Sequence, residues 1–323
     1  MSKTSIEYSN ARDLHHYTFN GETMGTRYSA QCYAGADVDR ALLADELDRA
    51  VQAVDREMSN WKACSDLSRL NLAEPGVWVP ISANLAAVLA RAIEIGRESG
   101  NAFNVDMGDV VSRWGFGPRD ADISDTPSAL SAGPRRPADE LLEVDAIRCR
   151  ARKRASVALD LCGIAKGFGV DELGRVMNRH GIQSWLVGID GEMRARGTKP
   201  SGAFWAIAIE RPQYERREPL CVIEITDIAI ATSGDYRHWC EYDGQRVSHT
   251  MDPRTGAPLS NGVASVTVLA SNCMDADAYA TALMVLGAEE GLELARRKQL
   301  DALFLVRERE GLRAVGIGCF AER

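Results

Sequence analysis

The sequence predicts an α+β fold, in which mixed or antiparallel sheets and packed helices form a single interleaved unit. Three observations support this prediction. Strand patterns form long blocks, and helical patterns are mixed with them without regular β-α-β alternation. No G-x-G-x-x-G motif opens a helix after a strand, which argues against a Rossmann-type site. The 323 residues, 45% of them hydrophobic, can bury a large core.

The domain organisation is predicted to be one domain over residues 17–323. Length alone allows one large domain or two smaller ones, but the motifs on either side of residues 119–156 point to one shared site. Those residues are the most polar part of the chain, and we predict a partly mobile insertion there. Residues 1–16 are polar and are predicted to be a flexible N-terminus.

Charge and cysteine content limit the class of protein. The net charge of −8 argues against nucleic acid as the main partner, because phosphate backbones require a basic face. The eight cysteines include no C-x-x-C pair, which is typical of a reduced, cytoplasmic protein. We find no signal-peptide pattern and no run of ~18 apolar residues that could span a membrane. We therefore expect a cytoplasmic protein without a membrane anchor, or a periplasmic one if a leader has been lost.

The N-terminal half is predicted to contain an interrupted strand and two long helices. The strand Thr18–Tyr33 is interrupted at Met24-Gly25-Thr26, and a glycine inside a strand often marks a close approach by a ligand or another backbone. Apolar residues at helical spacing predict helices over 37–58 and 81–100. Gly100 suits the C-cap of the second helix.

The C-terminal half is predicted to be rich in strands. The Asp243-Gly244 pair is a strong signal for a hairpin turn. Alternating apolar residues predict strands at 184–189, 203–210, 221–225, 228–232, 264–270, 302–307 and 314–318. Helical spacing predicts helices at 275–286 and 289–298, and a short one near 139–144.

The stretch Val157–Leu173 organises the rest of the chain. Its pattern predicts a strand over 157–161, a turn at Cys162-Gly163 and a helix from Ile164 to about His180. Asp160 would then end the strand and Lys166 would lie in the first helical turn, where unpaired N–H groups attract anions. This arrangement suits a metal-bound diphosphate. Taken alone, the stretch fits an ordinary strand–helix junction with a solvated lysine at least as well.

Asp277 and Thr281 lie four residues apart and therefore project from one face of a predicted helix. A carboxylate and a hydroxyl oxygen can bind Mg²⁺, which takes few protein oxygens and completes its shell with water and phosphates. The alternative is a solvated aspartate and a threonine bonded back along its own helix. Spacing alone favours the alternative.

His249 precedes the turn Asp252–Gly256 and could act as a general base or a phosphate donor. A single histidine is more often structural or exposed. A zinc site with His238 and Cys240 is disfavoured, because their spacing fits no zinc pattern. Ser233–Arg237 could cap a helix, bind an anion or form an ordinary turn. Trp61 could be a core residue or a platform for a ring, and a core position is the commoner one.

Together these stretches resemble the FAD:protein FMN transferases, also called ApbE-type proteins or thiamine biosynthesis lipoproteins. The matching motifs occur in family order from residue 24 to about residue 287. They are Met24-Gly-Thr, Met58–Asn71, Trp114-Gly-Phe-Gly-Pro, Leu159-Asp-Leu with Lys166-Gly-Phe, Ser233-Gly-Asp-Tyr, His249 with Asp252-Pro-Arg-Thr-Gly, and Ala276-Asp-Ala with Thr281.

The resemblance implies an α+β unit related to the T-fold. It also implies magnesium-dependent transfer of FMN from FAD to a Ser or Thr hydroxyl of a partner flavoprotein, with release of AMP. The metal would be held by Asp277, Thr281 and the backbone carbonyl of Gly163. The FAD site would be lined by Met24, Ser59, Asn60, Trp61, Asp106, Asp160, Lys166 and Met251.

His249 is the residue we expect to accept the proton of the attacking hydroxyl. Its reference pKa of about 6.5 suits a base near neutral pH. Asp160 is the rival base, but a carboxylate facing a metal-bound diphosphate would stay ionised and weakly basic.

The sequence departs from the family pattern in two stretches that bear on FAD binding. The family usually shows a Thr and a Pro within residues 104–110, where this chain has Asn104–Asp109, and a Gly-Gly-Asp where it has Asp190-Gly-Glu192. Most characterised members also carry a lipoprotein leader. Two alternatives therefore stay open: a magnesium-dependent FAD diphosphatase, which uses water as the acceptor, and a flavin-binding protein without catalysis.

Overall fold

Seven helices and seventeen strands form the part of the chain that the computed structural model describes, which is residues 14–118, 133–214, 216–242, 244–309 and 311–321. The helices are α1 (Arg40–Met58), α2 (Asp66–Leu72), α3 (Ala83–Glu98), α4 (Gly108–Arg113), α5 (Ala138–Leu141), α6 (Ala165–Arg179) and α7 (Cys273–Lys298). The strands are β1 (His15–Thr23), β2 (Thr26–Ala34), β3 (Val79–Pro80), β4 (Leu142–Asp145), β5 (Arg150–Lys153), β6 (Ser184–Ile189), β7 (Glu192–Arg196), β8 (Trp205–Glu210), β9 (Pro219–Ile225), β10 (Ala229–Gly234), β11 (Trp239–Tyr242), β12 (Gln245–Ser248), β13 (Met251–Asp252), β14 (Ala257–Pro258), β15 (Val263–Ala270), β16 (Asp301–Glu308) and β17 (Gly311–Ile317).

An eight-stranded antiparallel sheet is the centre of the fold. Its order is β1-β2-β6-β7-β10-β15-β16-β17. Four smaller antiparallel sheets surround it: β3-β5-β4, β8-β9, β11-β12 and β13-β14. Helices and antiparallel strands are thus interleaved along the chain, and the α+β prediction is confirmed.

Both faces of the central sheet are covered. Helices α6 and α7 pack on one face, and α1 packs against α6. The β8–β9 hairpin covers the other face, where Trp205 and Ile207 pack against Ile230 and Leu269 of the sheet. Strand β15 is consequently buried on both faces over almost its whole length, as expected for a central strand between two layers.

Helices α6 and α7 cap each other. The carboxylate of Asp171 on α6 accepts hydrogen bonds from the backbone N–H groups of Cys273 (3.0 and 3.1 Å) and Met274 (3.0 Å), at the start of α7. In return, the N–H of Gly167 in the first turn of α6 donates to Asp277 Oδ2 of α7 (2.9 Å). A Cβ atom at position 167 would lie 2.3 Å from the Cys273 carbonyl oxygen, so only glycine allows this approach.

The predicted helices are confirmed with shifts of a few residues at their ends. Gly287, with φ 82°, interrupts α7 where the prediction placed the boundary between two helices. The predicted helix near 139–144 is shorter, because α5 ends at Leu141 and Leu142 already begins β4.

The prediction of one interrupted strand at Thr18–Tyr33 is wrong. The segment is a hairpin, in which Met24 and Gly25 form the two-residue turn between β1 and β2. Both turn residues have positive φ values, 47° and 70°, as a type I′ hairpin turn requires. The glycine therefore marks a reversal of the chain.

The predicted strand at 157–161 is also wrong, since this segment belongs to no sheet. Side chains and loops replace a neighbouring strand as its hydrogen-bond partners. The side chain of Asn71 binds both the N–H (2.8 Å) and the carbonyl (3.0 Å) of Leu159, and Asp160 N donates to Val105 O (2.8 Å). Alternate burial of Leu159 and Leu161 produced the strand-like pattern.

The insertion predicted at 119–156 lies partly outside the described residues. Within residues 133–156, strands β4 and β5 form a small sheet with β3. Of the predicted flexible N-terminus, His15 and the residue after it belong to β1, and residues 1–13 lie outside the described part. None of the described helices combines the length and the apolar character needed to cross a membrane.

We predict that Asp171→Ala lowers the free energy of unfolding by about 3 kcal/mol, because it leaves buried N–H groups of α7 and the guanidinium of Arg194 (2.7 Å) without their acceptor. The matched control is Asp39→Ala, which removes an exposed cap that also accepts two backbone N–H groups and should cost about 1 kcal/mol. Urea unfolding followed by circular dichroism measures both values. Equal losses in the two variants would contradict the special role of Asp171.

Candidate active site

Two adjoining cavities lie beside the N-terminal ends of α6 and α7. The larger has a volume of about 930 Å³ and the smaller of about 190 Å³. They share several lining residues, and the region of these shared residues is called the junction below. The residues that line both cavities are Phe116, Cys162, Lys166, Asp190, Arg237, His238 and His249.

The cavities bring together nearly all the site residues that the sequence predicts. The larger cavity is lined by Met24, Ser59, Asn60 and Trp61, and the smaller by Asp160, Gly163, Met251, Asp277 and Thr281. Lys166 and His249 line both.

Asp106 lines neither cavity. It is buried, and its carboxylate accepts a hydrogen bond from Ala158 N (3.3 Å) and faces Arg135 (3.8 Å). Burial raises the pKa of Asp106 to about 6, although the charge of Arg135 opposes that shift. Asp106 thus ties its loop to the segment that carries Asp160.

Asp277, Thr281 and Gly163 line the smaller cavity and offer three kinds of oxygen donor. Thr281 Oγ1 lies 3.0 Å from Ser233 Oγ, and a Cβ on Gly163 would lie 3.0 Å from Thr281 Oγ1. Asp277 is only 4% exposed, and its Oδ2 is engaged by Gly167 while its Oδ1 has no hydrogen bond within the described residues. A carboxylate, a hydroxyl and a backbone carbonyl are hard donors of the kind that Mg²⁺ binds.

A metal could not be held here by acidic, histidine and cysteine side chains alone. No group of three or more such side chains in the described ranges is placed to bind one ion. Metal binding would therefore need the threonine and backbone oxygens, and a substrate would supply further ligands.

The charges of Lys166, Glu192 and Asp277 shift the pKa values of Lys166 and Asp277. Lys166 Nζ lies 2.7 Å from Glu192 Oε1. Burial alone would lower the pKa of Lys166, but the negative charges of Glu192 and Asp277 raise it above its usual value. Burial and the neighbouring Glu192 raise the pKa of Asp277 to about 7, against the opposing charge of Lys166. A bound cation would favour the ionised form of Asp277.

His249 presents one nitrogen to the cavities. Its Nδ1 lies 2.9 Å from the backbone oxygen of His238, and because that oxygen can only accept, Nδ1 carries the proton. Nε2 therefore holds a lone pair. Burial lowers the pKa of His249 to about 4, and the neighbouring His238 adds to the shift. His249 is thus neutral at pH 7 and can accept a proton.

Asn60 and Asp160 form a polar pair at the junction of the cavities. Asn60 Nδ2 donates to Asp160 Oδ2 (2.8 Å), and Asp160 Oδ1 accepts from Cys162 N (2.8 Å). Both carboxylate oxygens of Asp160 therefore already accept a hydrogen bond. Asn60 Oδ1 is buried and has no partner within the described residues, so it is available to a donor on a bound molecule.

Trp61 is 66% exposed on the wall of the larger cavity, so the expectation of a core position is wrong. The sequence analysis also assigned no role to Glu192 or Arg237. Each had a signal in the sequence. Glu192 lies in one of the two stretches that depart from the family pattern, and Arg237 is the last residue of the Ser233–Arg237 motif.

Comparison with known proteins identifies the family of this chain. The sequence matches the ApbE family over residues 24–304. The chain belongs to the ApbE family. The FAD:protein FMN transferase of Vibrio cholerae serotype O1 is 37% identical over 303 residues, covering 93% of this chain and 90% of that protein. The enzyme of the same name from Escherichia coli K12 is 32% identical, covering 89% and 83%.

Solved structures of the family have the same fold. The flavin transferase ApbE of Vibrio cholerae superposes with a TM-score of 0.85 at 35% identity, covering 95% of this chain and 98% of that one. The apo form of the Pseudomonas stutzeri flavinyl transferase ApbE gives a TM-score of 0.83 at 32% identity, covering 95% and 96%.

We predict that His249 titrates with a midpoint near pH 4, below the usual value for histidine, because the partly buried ring loses solvation when it becomes charged. Two-dimensional ¹H–¹⁵N NMR of protein labelled at its histidine side chains measures the midpoint and identifies the tautomer. The spectrum of His249→Gln assigns the signal. A midpoint near 6.5, or a proton on Nε2 at pH 7, would contradict this description.

Proposed function

We propose that this protein is a magnesium-dependent FAD:protein FMN transferase. It moves FMN from FAD to a Ser or Thr hydroxyl of a partner flavoprotein and releases AMP. The observation that carries the proposal is that two adjoining cavities are lined by a neutral histidine, a half-buried lysine and the hard oxygen donors of Asp277 and Thr281. The names of the relatives support FAD as the substrate and a protein as the acceptor.

The dimensions and polarity of the cavities fit FAD. The larger cavity, about 930 Å³, is within the range of ligand pockets, whereas the smaller, about 190 Å³, is below it. The ring systems of FAD therefore belong in the larger cavity, with the diphosphate near the junction. The unpartnered Asn60 Oδ1 supplies an acceptor for an N–H or O–H of the substrate.

Asp277, Thr281 and the Gly163 carbonyl would hold the magnesium ion. When bound, that ion stabilises the negative charge that builds on the phosphate oxygens. Lys166 adds a fixed positive charge beside the same oxygens, and Glu192 holds its ammonium group in place (2.7 Å).

His249 Nε2 accepts the proton of the acceptor hydroxyl. The hydroxyl oxygen forms a bond to the phosphorus of the FMN half, and the bridging P–O bond to AMP breaks. The electron pair of that bond stays on the AMP phosphate. A base with a pKa of about 4 is weak but is fully deprotonated at pH 7.

Intact-mass analysis tests the function. The protein is incubated with FAD, MgCl₂ and flavoprotein fragments that carry candidate Ser or Thr acceptors, and AMP is measured by chromatography. AMP release with addition of the FMN mass to a fragment supports the proposal. AMP release without that addition would identify an FAD diphosphatase, and binding of FAD without AMP release a flavin-binding protein.

We further propose a cytoplasmic location, which the state of the cysteines supports. All eight are free thiols, and Cys64, Cys162, Cys221 and Cys319 are exposed. Exposed thiols of this kind persist in a reducing compartment. Cell fractionation tests the location, and recovery of the protein from the periplasm would contradict it.

We predict that Asp277→Asn lowers magnesium-dependent AMP release about 100-fold, because it removes the ionised ligand while an amide oxygen can still accept from Gly167 N. The matched control is Asp275→Asn on the same helix, whose carboxylate binds Arg91 (2.7 Å) and lines neither cavity. AMP release is measured as a function of MgCl₂ concentration. Equal effects in the two variants would remove Asp277 from the metal site.

We predict that His249→Ala still binds FAD but loses most transfer activity, because it removes the imidazole nitrogen that accepts the proton in the proposed mechanism. The wild-type rate should fall as the pH drops through about 4, where His249 becomes protonated. The variant should lack this acidic limb.

The measurements are pH–rate profiles and fluorescence titration with FAD, with His16→Ala on β1 as the control. Normal transfer with an unchanged acidic limb would remove His249 from the mechanism. Loss of FAD binding would make it a ligand-binding residue.

A further inference from the structure

Arg237 lies at the junction of the two cavities and has no part in the mechanism above. It lines both cavities, and its side chain is only 26% exposed. Carboxylates from two separate elements hold its guanidinium. Nη1 donates to Asp190 Oδ1 (2.9 Å) in the turn between β6 and β7, and Nη2 lies 3.0 Å from Glu210 Oε2 at the end of β8. The position of the guanidinium is therefore fixed from two sides.

The two carboxylates do not use all the N–H donors of the Arg237 guanidinium. Of the five N–H groups of arginine, one on Nη1 serves Asp190, and Nε and one on Nη2 serve Glu210. The hydroxyl of Tyr236 also hydrogen-bonds the guanidinium, which leaves one N–H group without an acceptor among the residues that the structure describes. A partly buried guanidinium with a remaining N–H donor at a cavity wall is well suited to bind a phosphate oxygen.

Asp190 adopts a backbone conformation that favours glycine. Its φ is 54°, in the left-handed region, where residues other than Gly, Asn and Asp are strained. The carboxylate placed there contacts both cations of the junction, because Lys166 Nζ lies 3.8 Å from its other oxygen. One side chain thus sets the distance between Lys166 and Arg237.

We propose that Arg237 is a phosphate-binding residue for the diphosphate of FAD, and that Asp190 and Glu210 are positioning residues that hold it at the junction. The identity of the substrate rests on the proposed function. When the bridging P–O bond breaks, its electron pair moves to the oxygen of the departing AMP, the acceptor oxygen takes its place on phosphorus, and the acceptor proton goes to His249. A guanidinium already in place stabilises the diphosphate charge without having to reorganise.

The test compares two pairs of probes, AMP with adenosine and FMN with riboflavin, which differ only by a phosphate. Their affinities are measured by isothermal titration calorimetry in EDTA, so that no metal contributes. We expect the wild-type protein to prefer the phosphorylated member of at least one pair. In Arg237→Gln this preference should fall about tenfold, while adenosine and riboflavin bind as before. The pair that changes identifies the phosphate that Arg237 contacts.

Arg313→Gln is the control for net charge, since Arg313 is exposed on β17 and lines neither cavity. It should keep the full phosphate preference. A second variant, Asp190→Asn, tolerates the left-handed backbone and removes only the charge that holds Arg237. It should reduce the same preference to an intermediate value, and it keeps the proposal testable if Arg237→Gln does not fold.

Three results would overturn the proposal: no phosphate preference in the wild-type protein, an unchanged preference in both variants, or an equal loss for both members of each pair, which indicates a structural role. Failure of the proposed function is a separate result. A protein whose phosphate preference depends on Arg237 but which transfers no FMN would keep the binding assignment and lose the transferase assignment.

Discussion

The close contact between α6 and α7 is the constraint on which the rest of the structure depends. Two helices can approach this closely only because position 167 has no side chain, and each helix then uses a carboxylate of the other to satisfy its first N–H groups. Asp277 takes part in this contact with one oxygen and faces the smaller cavity with its side chain. The same residue therefore joins the helices and lies where the proposed metal would be held.

Low solvent access shapes the chemistry of the site. Burial raises the pKa of Asp277 and lowers that of His249, so that both groups move toward their neutral forms. Lys166 stays charged because Glu192 lies beside it. A cation at the oxygen cluster would restore the negative charge of Asp277 while leaving His249 neutral. The site thus combines a fixed ammonium group, a proposed metal position and an imidazole nitrogen with a lone pair.

The sequence predicted the fold class, the helices α1, α3, α6 and α7, and most strands, because long amphipathic patterns report which face is buried. It could not predict the partners of those faces. The alternation at 157–161 reports burial of Leu159 and Leu161, yet the hydrogen bonds go to Asn71 and Val105, which lie far away in the chain. The resemblance to a family placed Asp277, Thr281 and His249 at one site, whereas the ion pairs of Arg237 and the exposure of Trp61 depend on tertiary packing that no local pattern records.

The contacts that build the site join parts of the chain that are distant in sequence. Asn60 and Asp160 are 100 residues apart, and Asp171 and Cys273 are 102 apart. Such contacts close large loops, and the entropy lost in closing them is recovered only when the surrounding core has formed. A chain that ends before Cys273 lacks one side of the second pair and, with it, Asp277 and Thr281. The site can therefore assemble only after α7 has been synthesised, which delays binding and turnover of FAD until most of the chain is present.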